Sequence, residues 1–448
     1  MFHSSPLLAT TTMLALTLGA PLAARERAIE MRWPGWRGHG QGLVADATIP
    51  LEWSETKNVL WKTPISGRGL SSPIVWDGQI FLTTAIEGDV VRGVKPMRHV
   101  QPDGTEFRHP EAVGDDRRHK FALLSLDAHT GRVLWERALW EGVPSDSRHR
   151  KASFASPTPV TDGERVYAYF GTEGLYACDF QGRLVWTFDP GTVASFSVGV
   201  GTSPVLYGDL LILLADEDNG EKSYIAALDR RTGKVVWRTP RNVELSWATP
   251  ALVKGPDGDE LLTAGNQANI AYDPKSGREL WRVQGLESNA IATPLVGDRV
   301  AVFSSGYPTK ISLAVRPGAG AGTKAILWRY DKGSAYVPSP VLYQNHVYLV
   351  TDKGHVTCLD AQTGAVRYEG RRLPAPATLL ASPIVVDGRL LLMSQEGDTF
   401  VVKTGSEFAV ERVNPLGEPI SASPAVAGDT LFIRGEKHLF AIGATQSR

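Results

Sequence analysis

The sequence predicts an all-β fold: an eight-bladed β-propeller of four-stranded blades, the last blade closed by an N-terminal strand. Three observations carry this. A Ser/Thr-Pro pair followed by an apolar run and a turn recurs eight times, with prolines at Pro73, Pro159, Pro204, Pro250, Pro294, Pro340, Pro383 and Pro424. A second signature, Asp-x-x-Thr/Ser-Gly-x-x-x-aromatic, keeps the same period in SLDAHTGRVLW, AALDRRTGKVVW, AYDPKSGRELW and CLDAQTGAVRY. The eighth unit ends one strand short, and the missing strand stands at the other end of the chain. Repeats of this length made of four short strands are the signature of radial stacking.

In chain order, residues 1 to 24 carry no Asp, Glu, Lys or Arg and hold the apolar run LLATTTMLALTL before the small residues Ala23 and Ala24. This reads as a secretory signal peptide, too short to span a bilayer. No Cys stands near the cut, so no lipid anchor is expected, and no later apolar run approaches a membrane span. Residues 25 to 57 form a lead-in. Residues 58 to 63, NVLWKT, match an outermost strand with Trp61 in the aromatic place. Blade one starts at Pro73 and carries an insertion at about 86 to 120, because the first proline spacing is 86 and the other six average 44. Within each unit strand A starts at the proline, where no ladder donor is needed. A tight turn leads to B, a loop to C, and the Thr-Gly turn to D, which carries the aromatic. Asp caps its own backbone in such a turn and Gly accepts positive φ. The aromatic place is held by Trp135, Trp186, Trp237, Trp281, Trp328 and Tyr368, read as packing between blades. Blade five lacks the Asp-x-x-Thr-Gly turn and blade seven lacks the Trp. The propeller is expected to run from 58 to 443, with 444 to 448 a tail.

Composition narrows the function. Lys plus Arg is 47 and Asp plus Glu 48, so the net charge of −1 argues against a nucleic-acid binder. Charged residues are 21% and hydrophobic ones 42%, which excludes a largely disordered chain. Two cysteines exclude a disulfide scaffold, a CxxC zinc site and a CxxCH haem attachment. Cys178 and Cys358 fall in C strands of blades two and six, on opposite sides of an eight-blade ring, and are expected to stay unbridged.

The Asp-x-x-Thr-Gly-x-x-x-Trp repeat resembles that of the PQQ-like (pyrroloquinoline-quinone-type) β-propellers. That family includes quinoprotein alcohol dehydrogenases and the propeller of the outer-membrane-protein assembly machinery. The segment WPGWRGHGQG…EWSETKNVLWKTPISGRGLSSPIVWDG is similar to that of secreted bacterial members. For an enzyme, the resemblance implies an adjacent Cys-Cys pair and a Glu, Asn and Asp set around calcium, with an Asp as general base. The adjacent pair is absent and the calcium set falls on no specific residues. The expectation is therefore an exported, non-enzymatic binding or assembly scaffold, periplasmic or secreted, monomeric and without a cofactor. Its partner is a protein, peptide or glycan of the cell envelope. The alternative is a dehydrogenase using PQQ with calcium.

Strand order puts the A–B and C–D turns on one face and the B–C and D–A loops on the other. The long polar segments all fall on the second face, the expected binding surface. Arg148, His149, Arg150 and Lys151 are candidates for holding an anion or an acidic partner. Asp216, Glu217, Asp218 and Asn219 are the second candidate group. They fail as a calcium loop, since Gly220 comes one place early and Ala227 stands where a Glu should be. His99, His109 and His119 show no metal-ligand spacing, so no metal site is assigned. Gly199-x-Gly201 precedes no helix, and neither HExxH nor GxSxG occurs, so no catalytic residue is assigned. The insertion, with seven acidic and seven basic residues, is expected to dock on the face through paired residues. Charge reversal at Arg148 and Arg150 is expected to weaken binding with little effect on stability.

Overall fold

A proline that heads a strand needs no ladder partner, and every repeat obeys this rule. The eight innermost strands begin one residue after the repeat prolines, at Ile74, Val160, Val205, Ala251, Leu295, Val341, Ile384 and Ala425. The computed structural model describes Met1 and residues 31–444, except 102, 267, 288, 319, 321, 323 and 324. The expected signal peptide thus lies outside the described residues, Met1 apart. Eight antiparallel four-stranded sheets form the blades, two of them extended by a short N-terminal strand. Blade two is typical: Val160–Thr161, Arg165–Tyr169, Leu175–Asp179 and Leu184–Phe188. In blade eight Ala425–Ala427, Thr430–Arg434 and His438–Ile442 are completed by Val59–Pro64, which pairs with His438–Ile442. The expected closing strand is therefore present, shifted by one residue.

The insertion differs in extent from the expectation. Strands B and C of blade one are long, Gln79–Val90 and Arg117–Asp127, and stay paired from Gln79↔Asp127 to Val90↔Arg117. Both ends of the segment 86 to 120 are therefore ladder, and the irregular part is 91 to 116. The core lies between blades. Ile74, Phe81 and Phe121 of blade one, for example, meet Val166, Ala168 and Cys178 of blade two.

Two hydrogen-bond devices lock blade to blade. The first uses the Ser or Thr before each proline. Its backbone N–H donates to the corresponding hydroxyl of the next blade, running from Ser72 through Thr158, Ser203, Thr249, Thr293, Ser339 and Ser382 to Ser423, at 2.9–3.2 Å. The buried N–H groups that enter the inner strands are thereby satisfied. At the seam between blades eight and one, Arg434 Nη1 donates to Ser71 O, Ser71 Oγ and Thr83 O. The second device uses the repeat tryptophan. Its Nε1–H donates to the carbonyl just after the turn Asp of the next blade: Trp61 to Ala128, Trp135 to Phe180, Trp186 to Arg230, Trp237 to Pro274 and Trp328 to Ala361. Trp281 faces blade five, which lacks that turn, and donates instead to Glu260 Oε2. The turn glycine is needed twice over. Gly233 has φ +71°, and a Cβ there would lie 2.6 Å from the Trp186 ring.

The lead-in plugs one end of the ring. Arg32–Trp33 pairs with the innermost strand of blade one, and Leu43–Val44 with that of blade seven. Between them Arg37, fully buried, donates to Pro340 O of blade six and to Gln41 O. Asp77 N donates to Met31 O and Asp387 N to Val44 O beside the A–B turns, so residues 32 to 44 cover that end while Arg37 reaches inward to the head of a strand A. No helix among the described residues is long and apolar enough to cross a membrane.

Candidate functional site

The opposite end of the ring is open, and there the three long loops come together. Asp146 precedes blade two, Asp218 follows the second strand of blade three, and His99 belongs to the insertion. The His99 ring is buried between the two acids, with Nδ1 2.6 Å from Asp218 Oδ2 and Nε2 2.9 Å from Asp146 Oδ1. Burial draws the imidazole pKa down, but the bonds to Asp146 and Asp218 outweigh it and leave it at about 9. Both ring nitrogens therefore donate and the imidazole is a cation at neutral pH. The acids have further donors: Ser195 N and Oγ on Asp146, Phe196 N on Asp218. The insertion is tied down elsewhere as well. Ala112–Val113 pairs with Arg148–His149, Asn219 Nδ2 donates to Val100 O at 2.6 Å, and Glu111 meets His149 at 2.7 Å and Arg150 at 2.8 Å.

The two candidate groups adjoin the same opening, but most of their members are spent on structure. Arg148 is 7% exposed and its Nη1 donates to the carbonyls of His149, Arg150 and Ala152. The expectation that its charge could be reversed with little effect on stability does not suit this placement: the guanidinium holds its own loop. Asp216 is fully buried 3.0 Å from Arg241, with Ser246 donating at 2.6 Å, and burial pushes its pKa up to about 6 against the pull of Arg241. Glu217 Oε1 accepts from the Lys222 N–H. Asp218 and Asn219 hold the insertion. His149 and Lys151 do reach the central cavity. The His109 ring lies tilted against that of His149, with centroids 5.0 Å apart, while His119 is buried against Phe154. No group of three His, Cys, Asp or Glu among the described residues is placed to hold a metal ion.

The cavity occupies the channel, with a volume of about 790 Å³. All eight collar hydroxyls line it, and Trp36 of the plug lines it too. Phe196, Trp247, Tyr307 and Tyr336 add aromatic surface. Trp247 is fixed by its Nε1–H donating to Gly199 O at 2.8 Å, and a Cβ on Gly201 would press on it at 3.3 Å. The Gly-x-Gly pair therefore makes room for an aromatic wall. Sequence reasoning missed Trp36, Trp247 and the hydroxyl collar. The signal for the collar was present: a strand start explains proline, but not why a hydroxyl precedes it eight times.

The two cysteines stand far apart in the ring. Cys178 lies in Leu175–Asp179 of blade two and Cys358 in His355–Asp360 of blade six. Both are free, buried thiols, pushed up to about 12 by burial. They remain unbridged, as their opposite blades require.

Comparison with known proteins agrees with this architecture. A family model described as outer membrane protein assembly factor BamB matches residues 113–220, 221–318 and 271–448. The chain is 25% identical over 346 residues to the quinohemoprotein alcohol dehydrogenase ADH IIB of Pseudomonas putida, a match covering 72% of this chain but 44% of that enzyme. It is 24% identical over 334 residues to the outer membrane protein assembly factor BamB of Yersinia pestis, covering 70% and 78%. The crystal structure of BamB from Moraxella catarrhalis superposes with a TM-score of 0.54 at 14% identity, over 82% of this chain and 99% of that one. That likeness is one of fold. With eight blades, the repeat interlock and a family model reaching from residue 113 to 448, the chain belongs to the PQQ-like repeat β-propeller family.

Proposed function

We propose that the protein is a binding or assembly scaffold of the cell envelope, exported and non-enzymatic, which takes its protein, peptide or glycan partner at the loop face. The observation carrying this reading is the plugged channel. It offers about 790 Å³ of hydroxyl- and aromatic-lined surface on the one face where three loops are locked together. A rigid concave site of this size suits recognition, and the similarity to assembly factors over more than two thirds of their length supports it. Similarity to a dehydrogenase supports the other reading, a quinone enzyme, but the chain spans less than half of that relative. The test is site-specific photocrosslinking in the native envelope. A crosslinker in place of Tyr307, on the loop face, should capture a partner that one in place of Val236, on the rim near the opposite turns, does not. Dye-linked alcohol oxidation by the purified protein after addition of PQQ and calcium would reverse the assignment.

A further inference from the structure

A second cleft, of about 470 Å³, opens on the loop face beside the insertion. Five arginines and three carboxylates line it, and the pairs sort themselves. Arg108 closes on Asp115 with two bonds of 2.7 and 2.9 Å, and Ser147 also donates to Asp115. Arg150 is matched by Glu111. Arg117 is 2.9 Å from Asp116 and also bonds Glu87. Of the two arginines that remain, Arg148 spends Nη1 on backbone carbonyls and has Glu87 as its one nearby carboxylate, and no carboxylate among the described residues pairs with Arg68. Arg148 reaches Glu87 only at 3.7 Å, beyond hydrogen-bond distance, and Arg68 Nη2 has the Lys151 carbonyl at 3.2 Å.

Three guanidiniums, Arg68, Arg117 and Arg148, thus face two carboxylates, Glu87 and Asp116, and one positive charge is unmatched. Burial draws the Arg148 pKa down, and the like charges of Arg68 and Arg117 add to this against the opposing pull of Glu87. A half-buried group of cations short of counter-charge is stabilised by an oxyanion, and guanidinium forks match tetrahedral oxygens in a way that ammonium groups do not. Four separate elements bring these side chains together: the loop before blade one (Arg68), its two long strands (Glu87, Arg117), and the loop entering blade two (Arg148).

We propose that this cleft binds a phosphate-type oxyanion through Arg68, Arg117 and Arg148, in competition with the internal carboxylate of Glu87. The site is distinct from the channel and does not depend on the scaffold reading. The test is calorimetric titration of the intact protein at low ionic strength with inorganic phosphate, with glucose 6-phosphate as a second arm and chloride as control. One phosphate should bind per chain. Arg68→Gln should weaken it by about tenfold or more, and Glu87→Gln should tighten it by about tenfold, the scale of one charge-assisted hydrogen bond. Tighter binding of glucose 6-phosphate than of inorganic phosphate assigns the site to phosphate esters; equal binding assigns it to the free ion. No heat from either phosphate, or an E87Q variant that binds no more tightly than the parent, overturns the proposal. The crosslinking test of the channel uses none of these residues, so either result stands alone.

Discussion

At the scale of single residues, the repeat is a set of interlocking parts. The turn Asp accepts from the N–H groups two and three residues on and from the Thr hydroxyl, as Asp229 does with Arg231 and Thr232. That frees the next carbonyl for the preceding blade's tryptophan, and the glycine clears space for its ring. Gly233→Ala places a Cβ at positive φ against Trp186, and should cost about 2 kcal/mol in chemical denaturation. The basic cluster splits on the same logic. Arg148→Glu puts a carboxylate among the three carbonyls that the guanidinium now satisfies, and should cost about 3 kcal/mol. Arg150→Glu touches a side chain 62% exposed and should shift stability by no more than about 0.5 kcal/mol. Equal melting temperatures for the two variants would contradict this placement. The sequence could not separate these neighbours, because a run of four basic residues says nothing of which one turns inward.

At the scale of elements, the insertion is the part whose attachment depends on pH. His99 binds its proton more tightly when folded, with a pKa of about 9 against an ordinary value of 6.5. Its contribution is therefore fully present below about pH 6.5 and is lost as pH rises through about 9. The shift corresponds to roughly 3 kcal/mol. Hydrogen exchange across residues 99 to 115 should accelerate between pH 7 and 10 ahead of the blade strands, and His99→Gln should flatten that dependence. An insertion whose exchange shows no excess pH dependence over the blades would remove His99 from this role. The blades were legible from sequence because each is built from signals a few residues apart: proline, turn Asp, turn Gly, aromatic. The clamp was not, because its partners stand 47 and 119 residues from His99. Only the general expectation of docking through paired residues was within reach, from charge balance and from three loops falling on one face. The long strands of blade one were missed for a related reason. Ile86 to Val90 and Arg117 to Lys120 carry polar residues, yet Glu87↔His119 and Ile86↔Lys120 still pair beyond the core.

At the scale of the whole molecule, the N-terminal segment does two separable jobs. Residues 32 to 44 plug the channel, with Arg37 buried and Trp36 facing the cavity; nothing in their sequence has the repeat's period, so the role could not be read there. Residues Val59–Pro64 close blade eight, a role visible because they copy the repeat's aromatic strand. Truncation separates the two. A chain starting at residue 50 keeps the closing strand and the buried Trp53, and loses the plug. It should keep the oligomeric state of the full chain with a lower melting temperature, because Trp33 and Arg37 no longer cover the inner strands. A chain starting at residue 66 also loses the ladder from Val59↔Ile442 to Pro64↔His438 and the Trp61 bond to blade one. His438–Ile442 then becomes an open edge with unpaired N–H and C=O groups, a template for pairing with a second chain. The Arg434 bonds to Ser71 and Thr83 and the core that Val75, Ile80 and Leu82 share with Phe432 and Phe440 are then left to hold the seam. Light scattering after size exclusion should find this second chain as dimers and larger aggregates, and its exchange should be fastest at the strands of blades eight and one. A monomeric chain with the melting temperature of the residue-50 form would mean that the ring closes without its N-terminal strand.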